Sequence, residues 1–274
     1  MLSNEERKNI YRHAYLPEHI PEYVEAVSGA SAYLIDNFLC FHHRDHLIFI
    51  GYPLGKAHAD IQQVYAAACK QFEPATVAII APDIGFCEPG GQNHLLDNYY
   101  RLQLPLDSID AAVSYMVRRA KRDLSVGLAK FGREHKKLIK FFLSERDLTK
   151  AQKHIFKHIS RYLKRSPSAY LLEARKEGSL AAFTVVDTGS ADYAFYLFNI
   201  RSNRLKVPGA SDLLFHEMVR LAQSEQKKAI NLGLGVNPGI RSFKTKWGGV
   251  PFLPYCSTVI QRESADFADI AKKL

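Results

Sequence analysis

The segment at 229–249, with the sequence AINLGLGVNPGIRSFKTKWGG, constrains the fold most. Its apolar residues follow a strand-like spacing and then a helix-like spacing, and residues typical of a turn separate the two. Every second residue of 230–236 is apolar, which predicts a short buried strand. The Asn-Pro-Gly at 237–239 predicts a turn, and apolar residues then recur at helical spacing. The two glycines at 248–249 predict the end of that helix. We therefore expect a strand, a turn and a short basic helix.

The basic residues of this helix suggest a chemical use for the unit. A helix that opens just after a strand presents free backbone N–H groups, and Arg241, Lys244 and Lys246 add positive charge beside them. This arrangement suits a ligand that carries phosphate. The alternative is that Gly233 and Gly235 only let the helix pack closely on the strand, with the lysines in solvent.

Two stretches resemble a known group of enzymes. The residues NLGLG at 231–235 and GIRSFKTKWGG at 239–249 resemble the C-terminal signature of GNAT-fold acyltransferases. The resemblance is strongest to the Fem-type peptidoglycan-bridge aminoacyltransferases and the related phosphatidylglycerol lysyltransferase domains. The stretch MVRRAKRDL at 116–124 is similar to the Arg/Lys-rich helix that opens the second half of these enzymes. The resemblance implies an α/β fold with a mixed α+β sheet, built from tandem GNAT-like units.

The order of predicted elements agrees with that resemblance in the second part of the chain. From residue 109 onward the expected order is helix, helix, three strands, helix, strand, helix, strand, with the three strands at 169–175, 180–187 and 193–200. The two helices at 135–143 and 149–163 are strongly basic. A last strand is expected at 253–261 and a last helix at 265–274.

The first part of the chain matches the same fold only by rough element order. We expect strands at 31–42 and 45–52 with a turn at Arg44-Asp45, a helix at 57–72 and a strand at 75–81. A further strand at 97–105 ends at a proline, and Asp107-Ser108 is a candidate N-cap for the next helix. We therefore divide the chain into an N-terminal GNAT-like domain at 1–106 and a C-terminal one at 107–274.

Bulk properties limit the class of protein. The 274 residues are 47% hydrophobic, enough for one large domain or two modest ones with full cores. No apolar run of about 18 residues and no secretory leader is visible, so we expect a cytoplasmic protein. The net charge of +9 favours an anionic partner, namely RNA, a phosphorylated cofactor or an anionic lipid surface.

Cysteine and histidine spacing argues against a metal site. The four cysteines are scattered without CxxC spacing, so we expect neither structural zinc nor a disulfide framework. The histidines at 42, 43 and 46, and Cys87 with His94, also match no strong zinc pattern. We therefore expect no metal.

The resemblance also places a donor site. In GNAT folds the acyl donor lies where the fourth and fifth strands splay apart, with its pyrophosphate on the loop that opens the following helix. That loop is here at 201–211, where Lys206, Gly209 and Ser211 are the nearest match to the family pattern and depart from it at the first and last positions. Gly209 permits close backbone approach, Arg204 and Lys206 are expected to neutralise phosphate, and Ser211 is a candidate helix cap. Fem-type enzymes use aminoacyl-tRNA and tolerate loss of the coenzyme A loop, so both acyl-CoA and aminoacyl-tRNA remain candidate donors.

Polar groups near the strand splay are the candidate catalytic residues. Acyl transfer to an amine needs a polarised carbonyl and room for direct attack, and it needs no enzyme nucleophile. Tyr196, Asn199 and Asn231 are candidates to bind the acyl carbonyl or the acceptor. Lys244 is a candidate to hold a phosphate or carboxylate and to stabilise developing negative charge. No Gly-x-Ser-x-Gly elbow, Walker loop or dinucleotide fingerprint is present, which argues against a hydrolase, a nucleotide triphosphatase or a dehydrogenase.

Two functions follow from these observations. The first is transfer of an acyl or aminoacyl group from a phosphate-containing carrier to an amine or hydroxyl of an envelope precursor or a small molecule. The second is a non-catalytic basic module on a decayed acyltransferase fold, which binds RNA or an anionic membrane surface. An open cleft between the splayed strands favours the enzyme, whereas a cleft filled by Tyr and Phe side chains favours the module. The sequence leaves the oligomeric state open.

Overall fold

A computed structural model describes residues 2–55, 60–86 and 95–262. Three sequence-based predictions fall wholly or partly outside these residues: the last helix at 265–274, the first turn of the helix at 57–72, and the pairing of Cys87 with His94.

The part of the chain up to residue 103, called the first half below, contains three α-helices, a short 3-10 helix and five strands among its described residues. The helices are α1 Asn4–His13, the 3-10 helix Pro17–His19, α2 Pro21–Ser28 and α3 Ile61–Phe72. The strands are β1 Ser31–Ile35, β2 Phe38–His43, β3 His46–Ile50, β4 Thr76–Ala81 and β5 Leu95–Gln103.

The second half adds six helices and six strands within the described residues. The helices are α4 Ala111–Asp123, α5 Arg133–Ser144, α6 Lys150–Lys157, α7 Ile159–Arg165, α8 Ala210–Ser224 and α9 Pro238–Lys246. The strands are β6 Ser125–Ala129, β7 Ala169–Lys176, β8 Ser179–Asp187, β9 Tyr193–Arg201, β10 Ala229–Leu234 and β11 Val250–Gln261.

All of these strands join one mixed sheet of eleven strands. Its order is β1-β2-β3-β4-β11-β5-β10-β9-β8-β7-β6. The last strand of each half is inserted into the other half, since β11 lies between β4 and β5, and β5 lies between β11 and β10. The two halves are therefore joined by backbone hydrogen bonds through the middle of the sheet.

Helices cover both faces of the sheet in the second half. On one face α4 and α8 pack against residues of β8, β9 and β10, and the buried Trp247 belongs to the same core. On the other face α5 and α7 pack with residues of α2, and side chains of β7, β8 and β9 complete the core. No described helix has the length and apolarity needed to cross a membrane.

The elements correct the sequence-based predictions in several places. The single strand expected at 31–42 is a hairpin, because Asp36 and Asn37 adopt φ values of 43° and 69° and form a two-residue turn. The helix expected at 149–163 is interrupted at His158. The helix expected after Asp107-Ser108 instead begins beyond Asp110, whose side chain accepts from Ala112 N at 2.8 Å. Strand β6, a five-residue strand at the sheet edge, was not predicted.

Candidate active site

The strands β9 and β10 are neighbours, as predicted, and they part at one end. They pair in parallel only where Ala229–Asn231 meets Tyr193–Phe195. Beyond Asn231, β10 contains a bulge against β5, and Gly233 adopts a φ of 72° there. A bulge turns the strand away from its regular path. An opening therefore forms between the last residues of β10 and the rest of β9.

The side chain of Lys244 extends into this opening. Lys244 is the third residue from the end of α9 and is only 3% exposed. Its Nζ donates to the carbonyl oxygen of Leu234 at 2.5 Å. A Cβ added to Gly233 would lie 3.9 Å from Lys244 Nζ and 4.0 Å from the carbonyl oxygen of Tyr196. The ammonium thus sits between the two separating strands.

The surroundings of Lys244 change its protonation. Burial lowers its pKa to about 7, and the nearby carboxylate of Asp97 acts in the opposite direction. The Tyr100 ring centroid lies 5.4 Å from Nζ, a distance that suits a cation–π contact. Near neutral pH, Lys244 is therefore poised between the ammonium and the free amine. In the ammonium form it is a buried hydrogen-bond donor able to stabilise an oxyanion.

The helix that carries Lys244 begins close to the end of β10. The side chain of Asn237 caps α9 by accepting from Ile240 N at 3.0 Å, and Pro238 occupies the first turn. The turn predicted at 237–239 is therefore already the start of the helix. This early start directs Lys244 back toward Leu234.

Tyr196 and Asn199 lie together on β9 beside α9. The Tyr196 ring is stacked on Phe243 with centroids 6.2 Å apart, and Asn199 Nδ2 lies 2.5 Å from the Tyr196 hydroxyl. Burial raises the pKa of Tyr196, so its hydroxyl stays protonated and can donate. Within the described part of the chain, the buried Oδ1 of Asn199 has no hydrogen-bond partner. The pair therefore retains hydrogen-bonding capacity for a ligand.

Asn231 is engaged elsewhere. It is fully buried, its Nδ2 donates to the carbonyl oxygen of Tyr15 at 2.7 Å, and its Oδ1 accepts from Gly233 N at 2.7 Å. These bonds tie the N-terminal segment to β10 and hold the bulge at Gly233. Its proposed role in binding a carbonyl stays a prediction.

The expected phosphate loop lies at the start of α8. Gly209 caps the helix with a φ of 81°, and a Cβ there would lie 2.4 Å from the carbonyl oxygen of Met116, so only glycine fits. Ser211 lies in the first turn of α8 and not at the cap, which corrects the sequence-based expectation. Arg204 and Lys206 are exposed, and the Arg204 guanidinium lies 4.5 Å from the Phe141 ring centroid.

Asp212 and Asp97 are two carboxylates of this region that the sequence did not reveal. Asp212 lies in the first turn of α8, is 5% exposed, accepts from Trp247 Nε1 at 2.9 Å and lies 2.6 Å from Lys246 Nζ. It links α8 to α9. Asp97 reaches Lys244 from β5 in the other half of the chain. Neither residue belongs to a motif, and only the folding of the chain brings them to the site. The described residues contain no group of three or more potential metal ligands.

Comparison with known proteins identifies the fold. No family model matches the chain, and no curated protein matches its sequence. Among solved structures, L-PGS from Bacillus licheniformis is 17% identical and covers 93% of this chain and 95% of its own, with a TM-score of 0.58. FemX is 10% identical and covers 93% of this chain and 96% of its own, with a TM-score of 0.62. A tandem GNAT protein from the clavulanic acid biosynthesis pathway is 14% identical, with coverages of 84% and 79% and a TM-score of 0.54.

The chain has a GNAT-type fold. The α/β class predicted from the sequence is confirmed, and so is the resemblance to GNAT-type proteins. At these identities the likeness concerns the fold alone. Lys244, Tyr196 and Asn199 lie beside the separation of β9 from β10, and their roles in binding a donor or an acceptor stay predictions.

Proposed function

We propose that the chain is an acyltransferase or aminoacyltransferase that moves an acyl group from a phosphate-containing carrier to an amine or hydroxyl acceptor. The observation that carries this proposal is the burial of Lys244 in the opening between β9 and β10. Burial of a lysine ammonium costs free energy, so a purely structural role would be served better by an apolar side chain. Use of the charge during a reaction explains why it is there.

The chemistry assigned to these residues is direct transfer. The acceptor's nitrogen or oxygen forms a bond to the acyl carbon, the carbonyl oxygen becomes an oxyanion, and the bond to the carrier then breaks. The acceptor loses a proton and the departing carrier atom gains one. Lys244 in its ammonium form donates to the oxyanion, and the Tyr196–Asn199 pair orients the acceptor.

Aminoacyl-tRNA is the donor that the electrostatics favour. Asp212, whose carboxylate is paired with Lys246 at 2.6 Å, occupies the first turn of α8, where a coenzyme A pyrophosphate would need unpaired positive charge. A tRNA keeps its phosphates outside the opening, where Arg204, Lys206 and the basic helices α5, α6 and α7 are exposed. Acyl-CoA remains the competing donor. The proposed acceptor is an envelope precursor or a small molecule, and an anionic lipid surface is a further candidate partner.

One observation favours the alternative function. The rings of Tyr196, Phe215 and Phe243 contact one another beside the opening, with Tyr196 and Phe215 centroids 5.1 Å apart. Aromatic filling of this kind is expected of a non-catalytic module on a decayed acyltransferase fold. The module, however, has no use for a buried lysine.

A donor panel tests the proposed function. The purified protein is incubated separately with charged tRNAs and with acyl-CoAs, and loss of the acyl group from each carrier is measured. We expect deacylation of at least one aminoacyl-tRNA above the rate without protein. Consumption of acyl-CoA alone would replace the tRNA donor, and consumption of neither would favour the binding module.

A further inference from the structure

The loop between β10 and α9 holds an unfavourable backbone conformation. Val236 has a φ of 53°, in the left-handed region that β-branched residues rarely adopt. Its side chain is 59% exposed, so packing of that side chain does not compensate for the strain. Something else must hold the backbone at Val236.

The carboxylate of Asp97 holds this loop from the neighbouring strand β5. Asp97 Oδ2 accepts from Val236 N at 2.7 Å, and Oδ1 accepts from Gly235 N at 3.2 Å. Oδ1 also accepts from Asn98 N at 2.7 Å. A Cβ on Gly235 would lie 2.6 Å from Asp97 Oδ1, so the close approach requires glycine at 235. A carboxylate with two acceptor oxygens is suited to two successive backbone donors.

The same carboxylate acts on Lys244. Asp97 opposes the effect of burial on the lysine and favours its ammonium form. The other titratable or charged groups near α9 are Tyr100 on β5, Tyr196 on β9, Arg241 and Lys246 on α9, and Asp212 on α8. Asp212 is paired with Lys246 Nζ at 2.6 Å, so Asp97 is the carboxylate that acts on Lys244. It belongs to the first half of the chain, whereas Lys244 belongs to the second.

We propose that Asp97 is a positioning residue of the candidate site, which fixes the strained loop before α9 and keeps the charge of Lys244 inside the opening between β9 and β10. One carboxylate thereby sets both the direction of the helix and the charge of its lysine. The site in the second half is incomplete without this residue from the first. Its importance for transfer rests on the proposed function, but its effect on the loop and on Lys244 does not.

Two measurements that need no acyl donor test the proposal. The first is the pKa of Lys244, followed by NMR of the lysine 13Cε signals, with the signal assigned by its loss in Lys244→Met. In Asp97→Asn we expect this pKa to fall by about one unit. Asp192→Asn, which removes a carboxylate paired with the exposed Lys228, is the matched control and should leave it unchanged. An unchanged pKa in Asp97→Asn would overturn the proposal.

The second measurement is hydrogen exchange of the Val236 amide. Asparagine offers one acceptor oxygen and turns an NH2 group toward the other backbone donor, so exchange should be at least about tenfold faster in Asp97→Asn. The double variant Asp97→Asn/Val236→Gly relieves the backbone strain at residue 236. It therefore controls for a change in the pKa of Lys244 that results only from unfolding of the loop. In that variant we expect the lowered pKa of Lys244 to persist. Wild-type exchange in Asp97→Asn, or a wild-type pKa in the folded double variant, would contradict the proposal.

These outcomes separate the two proposals. If the wild-type protein consumes no donor but both measurements change as expected, the proposed function fails and the role of Asp97 stands. If a donor is consumed and neither measurement changes, the proposed function stands and Asp97 is not the positioning residue.

Discussion

Each half of the chain contains a strand–helix–strand unit whose two strands are parallel neighbours, yet one pair is closed and the other is open. In the first half β3 and β4 pair over five positions, from His46–Thr76 to Ile50–Ile80, and Gly51 N continues the pairing to Ile80 O at 2.7 Å. In the second half β9 and β10 pair over three positions and then separate.

The side chains at the two strand pairs also differ, since they are apolar in the closed pair and include a charged group in the open pair. Phe49 and Ile79 are fully buried in the closed pair. The open pair instead receives the ammonium of Lys244. The two strand–helix–strand units therefore share one topology but differ in their use. In the second half, the bulge at Gly233 and the start of α9 directly after β10 separate the strands and leave room for a charged side chain between them. The first half acts as a scaffold and also contributes Asp97 to the site.

The largest expected effect concerns the closed pair. Phe49 packs against the rings of Phe38 and Tyr65, so Phe49→Ala should lower the free energy of unfolding by about 3–5 kcal/mol. Ile240→Ala, on α9 and 37% exposed, is the control and should cost less than about 1 kcal/mol. Urea unfolding measures both variants. Equal losses would show that the closed pair is not the better packed of the two.

The next effect is the pH dependence caused by Lys244. Its pKa is lowered from 10.5 to about 7 in the folded protein, so the folded state binds fewer protons than the unfolded state between these values. The contribution of Lys244 to stability therefore rises with pH through this window, and its cost is fully present below about pH 7. Lys244→Met should be about 1–3 kcal/mol more stable than wild type near pH 6, since loss of the bond to Leu234 O offsets part of the gain.

The measurement is urea unfolding of both proteins at a series of pH values. The advantage of Lys244→Met should shrink as the pH approaches 10.5, the ordinary value for lysine. Lys228→Met, which replaces a lysine that is 71% exposed, should follow the wild-type curve. A constant difference between Lys244→Met and wild type at every pH would mean that the lysine is not buried as a charge.

A smaller effect is expected at the start of α9. Asn237→Ala removes the side-chain oxygen that accepts from Ile240 N and should cost about 1 kcal/mol of stability. Asn237→Asp keeps an acceptor and should stay within about 0.5 kcal/mol of wild type. Thermal or urea unfolding distinguishes the two. Equal behaviour of the variants would show that the cap does not set the start of the helix.

The smallest effect concerns the exposed loop before α8. If Arg204 and Lys206 contact tRNA phosphates, each change to Ala should reduce the slope of log affinity against log salt by about 0.7–1. Binding titrations with one tRNA at several salt concentrations give this slope. If the slope measured for the double variant Arg204→Ala/Lys206→Ala equals that of wild type, this loop does not belong to the proposed tRNA-binding surface.

Local patterns predicted the part of the site that is contiguous in sequence. The apolar alternation at 230–236 and the helical spacing after it predicted that Lys244 lies on a short helix directly after a buried strand. Both patterns can be read from the sequence because they depend only on neighbouring residues. The adjacency of β9 and β10 followed from element order. The hairpin at Asp36-Asn37 was missed, since two residues with positive φ broke a run that otherwise resembled one strand.

The rest of the site depends on contacts between residues far apart in the chain. Asp97 meets the loop at Val236 only because β5 is inserted between β11 and β10. Asp212 meets Trp247 only because α8 and α9 converge. A single carboxylate in a strand or in the first turn of a helix carries no local signal of such a partner. The division of the chain at 106 stays a prediction, as do the donor, the acceptor and the roles of the individual site residues.

The central claim is that acyl transfer takes place at the open strand pair and depends on Lys244. Its most direct test is single-turnover transfer, with the donor found in the panel, by wild type, Lys244→Met and Lys228→Met. Loss of one preorganised donor to an oxyanion typically slows a reaction by about 100-fold or more, so Lys244→Met should fall by at least that factor while Lys228→Met stays within about twofold of wild type. Equal transfer rates for wild type and Lys244→Met would contradict the account.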